Sequence, residues 1–147
     1  MRILIQRVSR ASVSVEDEVV GEIEPGLVAF VGIRDGDTPE TAKWMAEKVA
    51  KLRIFEDHDG KMNHSVADIG GSVLAISQFT LYGDALKGSR PNFLAAAPPE
   101  KAEMIYEIFL GYLTARLGAE KVASGRFRAK MRVELVNEGP VTILLER

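Results

Sequence analysis

The run Leu27 to Ile33, LVAFVGI, offers no polar face to solvent, so a strand there is apolar on both sides. Such a strand belongs in the middle of a sheet, with cover above and below. Turn formers bound it, Pro25-Gly26 before and Asp35-Gly36-Asp37-Thr38-Pro39 after. The rest of the chain has to supply the cover. Ile3 to Val15 alternates roughly between apolar and polar positions, as a half-buried strand does. Glu16-Asp17-Glu18 reads as a turn and Val19 to Ile23 as a short return strand. Thr38 is placed to cap a helix with Pro39 at its first position. That helix is expected to reach about Leu52, with Ala42, Met45, Val49 and Leu52 on one face.

Further on, HDG joins Arg53–Glu56 to Lys61–Val66 as a hairpin, and Gly70-Gly71 precedes a strand over Ser72–Gln78. Pro98-Pro99 opens a second helix, whose apolar face is Ala102, Ile105, Ile108, Phe109, Tyr112, Leu113 and Leu117, with Gly118 closing it. Strands are then expected at Lys121–Ser124, Met131–Asn137 and Val141–Leu145. Strands with two helices interposed predict an α+β fold with an antiparallel or mixed sheet, curled into a partial, compact barrel. No repeat, low-complexity segment or linker interrupts residues 1–147, so one domain is expected.

The chain has no cysteine, which excludes disulfides, thiolate metal sites and a cysteine nucleophile. Its apolar runs are too short to span a bilayer, and its N-terminal run is too often broken by charge for a signal peptide. The cytoplasm is the expected location, without a membrane partner. A net charge of −2 argues against a uniformly basic surface and leaves room for a local basic patch.

Several constellations could carry chemistry. His58 and His64 lie at and just after a turn, without the second ligands that a metal site requires, and read as surface residues. The acids of FEDHDGKMN do not have the spacing of a calcium loop. In GRFRAKMRV, an extended backbone would put Arg126, Arg128, Lys130 and Arg132 on one face and Phe127, Ala129, Met131 and Val133 on the other. That stripe is either a phosphate-contacting surface or a solvated strand face. Gly139-Pro140 interrupts two strand-like runs, as a turn or as a fixed peptide presenting carbonyls to a site.

In SQFTLYGD an apolar strand ends in Ser77, Gln78 and Thr80. A neutral hydroxyl needs an adjacent base to attack, and none is assignable, so these groups read as hydrogen-bonding partners. Backbone N–H groups at the strand end could stabilise an oxyanion. Left open are a small-molecule esterase using Ser77 or Thr80 and a non-enzymatic RNA-binding module using the basic stripe.

SQFTLYGD and NEGPVTILLE together resemble the paired signature motifs of the D-aminoacyl-tRNA deacylase (D-tyrosyl-tRNA deacylase) family. QRVSRASVSV, LRIFEDHDGKMNHSV and KGSRPNF are similar too, in the same order, so the resemblance spans Met1 to Glu146. It implies a homodimer of barrel-like α+β subunits. It also implies hydrolysis of the ester between a D-amino acid, or glycine mischarged on tRNA-Ala, and the 3′-terminal adenosine. Gly139 and Pro140, joined by a cis peptide, would reach into the partner subunit's site and exclude an L side chain. Ser77, Gln78, Phe79 and Thr80 would form the catalytic stretch, with backbone N–H groups around Phe79 facing the ester. The tRNA 2′-hydroxyl would assist water in place of a Thr80 nucleophile. Lys87, Arg90, Arg126, Arg128 and Lys130 would meet tRNA phosphates. No metal, cofactor or DNA partner is implied. The chain departs from the family pattern at Arg128 and Lys130, where glycine and aspartate are common, and at Glu138.

Overall fold

A computed structural model describes Met1–Arg147 throughout. Strand β1 (Arg2–Val15) turns at Glu16-Asp17 into β2 (Glu18–Ile23), and β3 (Gly26–Gly32) leads to helix α1 (Pro39–Lys51). A short hairpin, β4 (Phe55–Glu56) and β5 (Met62–His64), precedes β6 (Ser72–Ser77) and a 3-10 turn at Phe79–Tyr82. Helix α2 (Pro99–Leu117), β7 (Val122–Ser124) and β8 (Met131–Glu146) complete the chain. The main sheet runs β2-β1-β3-β6-β7, and β8 pairs along the other edge of β1. The β3–β6 and β6–β7 pairs are parallel, whereas β1 pairs antiparallel with β2, β3 and β8.

Strand β3 is the doubly covered strand that its sequence requires. Leu27, Ala29 and Val31 face one core with Val73, Ala75 and the two helices. Val28 faces a second core with Leu74 and Ile76, and Phe30 packs against it. The second core is closed by β1 itself, through Val8, Ala11 and Val13. This explains why the alternation in β1 is only rough. Ile3 and Ile5 are buried on the helix side, then the β1–β8 register slips between Val8 and Arg10. A one-residue bulge transfers the following residues to the other face and bends the strand. The result is a sheet curled into a nearly closed barrel. At its seam a Cβ on Gly21 would lie 2.9 Å from the Ser124 carbonyl oxygen, so glycine lets β2 approach the end of β7.

Both helices begin where the sequence places them. Thr38 Oγ1 accepts from Thr41 N at 3.3 Å, and Thr41 Oγ1 accepts from Thr38 N at 3.4 Å, a reciprocal cap. The buried face of α2 is rotated from the expected one. Tyr106 is buried and donates to the Ala75 carbonyl at 3.0 Å, whereas Tyr112 remains 40% exposed beneath the Lys43 ammonium. A phenol can enter a core when its hydroxyl finds an acceptor. No helix is long and apolar enough to cross a membrane.

Two expectations are corrected. The C-terminal strands are a single strand, β8, which pairs with β1 on both sides of Gly139-Pro140. The GRFRAKMRV segment is extended only from Met131 on. Ala129 N donates to the Arg126 carbonyl at 3.2 Å and Arg128 has φ +59°, so residues 126–129 turn. The reason is topological: β7 lies at the far end of the sheet path from β1, where β8 pairs, and 125–130 must cross between them. The alternation of burial survives the turn, with the four cations exposed and Phe127, Ala129, Met131 and Val133 half-buried.

Candidate functional site

The parallel β3–β6 pair ends where Gln78 N donates to the Val31 carbonyl at 2.7 Å. The chain then folds into the 3-10 turn at Phe79–Tyr82. The first N–H groups of such a turn have no acceptor within it. Those of Phe79 and Thr80 make no backbone hydrogen bond outside the elements either. They are main-chain donors held at the end of a buried strand, an arrangement suited to developing negative charge. The Gln78 side-chain amide donates to the Thr80 hydroxyl. With an amide rather than a base beside it, that hydroxyl has no group to take its proton.

Beside this strand end lies a cavity of about 600 Å³. Ser77, Gln78 and Phe79 form one wall, Ala97, Pro99 and Ala102 another, and Phe127 to Ala129 with Met131 and Val133 a third. Twelve of its sixteen lining residues are hydrophobic, and Arg128 is the only charged one. Phe79 and Phe93 meet edge to face at the cavity, ring centroids 5.1 Å apart, with Phe79 57% exposed. An apolar hollow with a few polar groups at one wall is the usual form of a small-ligand site.

Thus Ser77, Gln78, Phe79 and Arg128 come together, and Thr80 follows immediately. Other expected residues lie elsewhere. Lys87 and Arg90 are exposed on the loop pinched off by the Asp84–Asn92 bridge, and neither lines the cavity. Arg126 pairs with Glu18 at 3.6 Å, and Lys130 is exposed without an ion pair. Gly139 and Pro140 are joined by a cis peptide, are exposed, and do not line this chain's cavity.

The Gly139-Pro140 segment is an excursion from the β1–β8 ladder. Gln6 pairs with Thr142 and Val8 with Asn137, so four residues of β8 stand opposite Arg7 alone. Two residues hold this excursion that sequence reasoning did not single out. Arg7, only 6% exposed, donates Nε to the Glu138 carbonyl at 3.0 Å and Nη1 to the Ile54 carbonyl at 2.7 Å. Its Nη2 lies 3.6 Å from Glu56. Asn137 Nδ2 closes the neck by donating to the Arg7 carbonyl at 2.9 Å and to the Val141 carbonyl at 3.2 Å. An arginine in the buried phase of an alternating strand was the available clue.

Asp57, His58 and Asp59 bring potential metal-ligand atoms within 4.8 Å of one another. The Asp57 carboxylate already accepts from Asn63 Nδ2 at 2.6 Å, Asp59 N at 2.9 Å and Lys61 N at 3.0 Å. These bonds hold its carboxyl below the usual carboxylate range, and they account for the acid as part of the turn. Burial raises Tyr82, the last residue of the 3-10 turn, to about 12, so it is a neutral phenol at physiological pH.

Comparison of the whole chain with known proteins points to one family. The chain matches the D-Tyr-tRNA(Tyr) deacylase family over residues 4–146. It is 60% identical over 146 residues to a D-aminoacyl-tRNA deacylase of Shouchella clausii, covering 99% of each chain. It is 56% identical to one of Thermotoga petrophila, covering 99% of this chain and 97% of that protein. A solved structure titled c-Myc DNA Unwinding Element Binding Protein is 42% identical and superposes with a TM-score of 0.95 over all of this chain and 99% of that one. Another, of a probable eukaryotic D-amino acid tRNA deacylase, shares the fold at 17% identity with a TM-score of 0.84. On this sequence similarity across its length, the chain belongs to the D-Tyr-tRNA(Tyr) deacylase family.

Proposed function

We propose that this protein hydrolyses the ester joining a D-amino acid, or glycine mischarged on tRNA-Ala, to the 3′-terminal adenosine of tRNA. The observation that carries the reading is the Ser77–Thr80 strand end, which offers free main-chain N–H groups beside an apolar cavity and no side-chain base. An aminoacyl ester is reactive enough that oxyanion stabilisation and a positioned water suffice, each preorganised donor contributing about 10²–10³ in rate. The substrate's ribose 2′-hydroxyl is the group next to the ester that can assist that water. Ser77 and Gln78 serve as hydrogen-bonding neighbours. Thr80 is not the nucleophile.

Chirality is judged by exclusion. Gly139 and Pro140 present main-chain carbonyls to the substrate amino group and leave no room for an L side chain. Because the excursion lies outside its own chain's cavity, it acts on the cavity of a second copy, and the working unit is a homodimer. An apolar strip fits that arrangement, with Leu144 54% exposed beside half-buried Leu4 and Phe30. Lys87, Arg90, Arg126, Arg128 and Lys130 supply attraction for tRNA, and the enzyme works in the cytoplasm.

The test is hydrolysis of matched D-tyrosyl- and L-tyrosyl-tRNA with EDTA present, with DNA and tRNA oligonucleotides as competitors. Loss of the D ester alone, inhibited by tRNA in preference to DNA, is the expected result. Survival of both esters would sink the deacylase reading in favour of a binding module, and equal cleavage would sink the main-chain filter.

A further inference from the structure

Three positions outside glycine have φ in the left-handed region: Glu16, Asp17 and Arg128. The first two are explained by the fold. They form the two-residue turn between β1 and β2, which requires positive φ at both central positions, and Asp17 pairs with Arg132. At Arg128 the crossing turn over 126–129 accounts for the backbone, but not for an arginine in it. At φ +59° an arginine is strained where glycine is at ease. Its side chain makes neither an ion pair nor a hydrogen bond, although its neighbours Arg126 and Arg132 pair with Glu18 and Asp17. Strain without a structural return is a mark of function.

Its location says which function. Arg128 is the sole charged residue among sixteen lining the cavity, and no carboxylate lines it. A lone cation at the rim of an apolar hollow concentrates positive potential there and favours an anion. Phe79 and Phe93 add exposed aromatic surface at the same cavity. Stacking surface beside a guanidinium is the combination that binds single-stranded nucleic acid.

We propose that Arg128 is a phosphate-binding residue of the cavity mouth, engaging a phosphodiester of the tRNA's single-stranded 3′ end. This rests on the deacylase reading above and adds to it the group that holds the substrate's backbone. Arg128 thereby separates itself from the other basic residues: Arg126 faces Glu18 at 3.6 Å, and neither it nor Lys130 lines the cavity.

The experiment compares wild type with Arg128→Gly, Arg128→Asn and Arg128→Lys. Each is assayed on D-tyrosyl-tRNA and on D-tyrosyl-adenosine, which has the ester but no phosphate, at salt from about 50 to 200 mM. Gly and Asn remove the charge and tolerate the left-handed backbone, so neither should lower the melting temperature. The loss of kcat/KM on the tRNA ester should exceed that on the adenosine ester by about tenfold, mostly through KM. The log–log salt slope for tRNA should flatten by about 0.7, one single-strand phosphate contact, and Lys should restore most of it. Unchanged tRNA kinetics and slope in Arg128→Gly would overturn the proposal, leaving a solvated side chain. Equal losses on both substrates would also overturn it, making Arg128 part of the cavity's shape. A wild type that cleaves neither ester would overturn the deacylase reading and this proposal with it.

Discussion

The Ser77–Thr80 strand end and the Glu138–Val141 excursion both present main chain, but they are held by different forces. The strand end continues β6, whose Val73, Leu74, Ala75 and Ile76 are buried between the two cores. Its position follows from apolar packing on both faces and from the parallel ladder with β3. Its tip, Glu138 to Pro140, is exposed and leaves the ladder; packing reaches only Val141 at its base, which is buried in the main core, and cannot fix the tip. Side-chain hydrogen bonds from Arg7 and Asn137 fix it instead. A main chain held by packing depends on volume, and one held by polar clamps depends on a few donors.

The largest effect is expected at Arg7. Arg7→Ala leaves the Glu138 and Ile54 carbonyls without their donor and should cost about 3 kcal/mol or more in urea unfolding. A variant that stays folded should lose discrimination between D- and L-tyrosyl-tRNA more than it loses ester cleavage. A loss of neither stability nor discrimination would show that the excursion is held by something other than this clamp.

Asn137→Ala comes next, at about 1 kcal/mol, because the residue is exposed and water can replace part of what its amide provides. The D-to-L ratio of kcat/KM should fall while cleavage of the D ester persists. An unchanged ratio would remove Asn137 from the filter's support.

At the other region, Thr80→Ala should change stability by less than about 0.5 kcal/mol and leave activity within about tenfold. Removing a true nucleophile costs about 10⁴ or more. A folded Thr80→Ala protein that is inactive to that degree would reassign the chemistry from main chain to hydroxyl.

The smallest effect concerns pH. Asn63 first, then the Lys61 and Asp59 N–H groups, hold Asp57 in its ionised form, so its folded pKa is depressed. The stabilisation is therefore present at neutral pH and is lost as pH falls through that depressed value. Hydrogen exchange across 55–64 should quicken in acid before exchange at Ser72–Ser77 does, and Asp57→Asn should abolish the pH dependence. Simultaneous loosening of both segments would show that the hairpin is not an independent unit.

The readable parts of this fold are those whose cause lies within a few residues. The Thr38 cap, the Pro39 start, the Glu16-Asp17 turn and the doubly apolar β3 are fixed by local geometry and local hydrophobic pattern. The Ser77–Thr80 strand end was readable as a candidate site because polar residues closing an apolar run stand out without any partner. Phe93, Ala97 and Ala102, which complete the cavity, come from a loop and a helix that no spacing ties to it.

By itself, then, the sequence determined where the two helices and most of the strands lie, that one strand must be buried on both faces, and which two motifs carry the family resemblance. Tertiary structure decided the bulge that moves β1 from one core to the other, the turn at Arg128, and the clamp on Gly139-Pro140. Arg7 meets the Glu138 carbonyl across 131 positions of chain. No local pattern encodes a contact of that separation. It exists only because β8 returns along β1 and loops residues out opposite a buried arginine, and that pairing is set by the cores on both sides of the sheet.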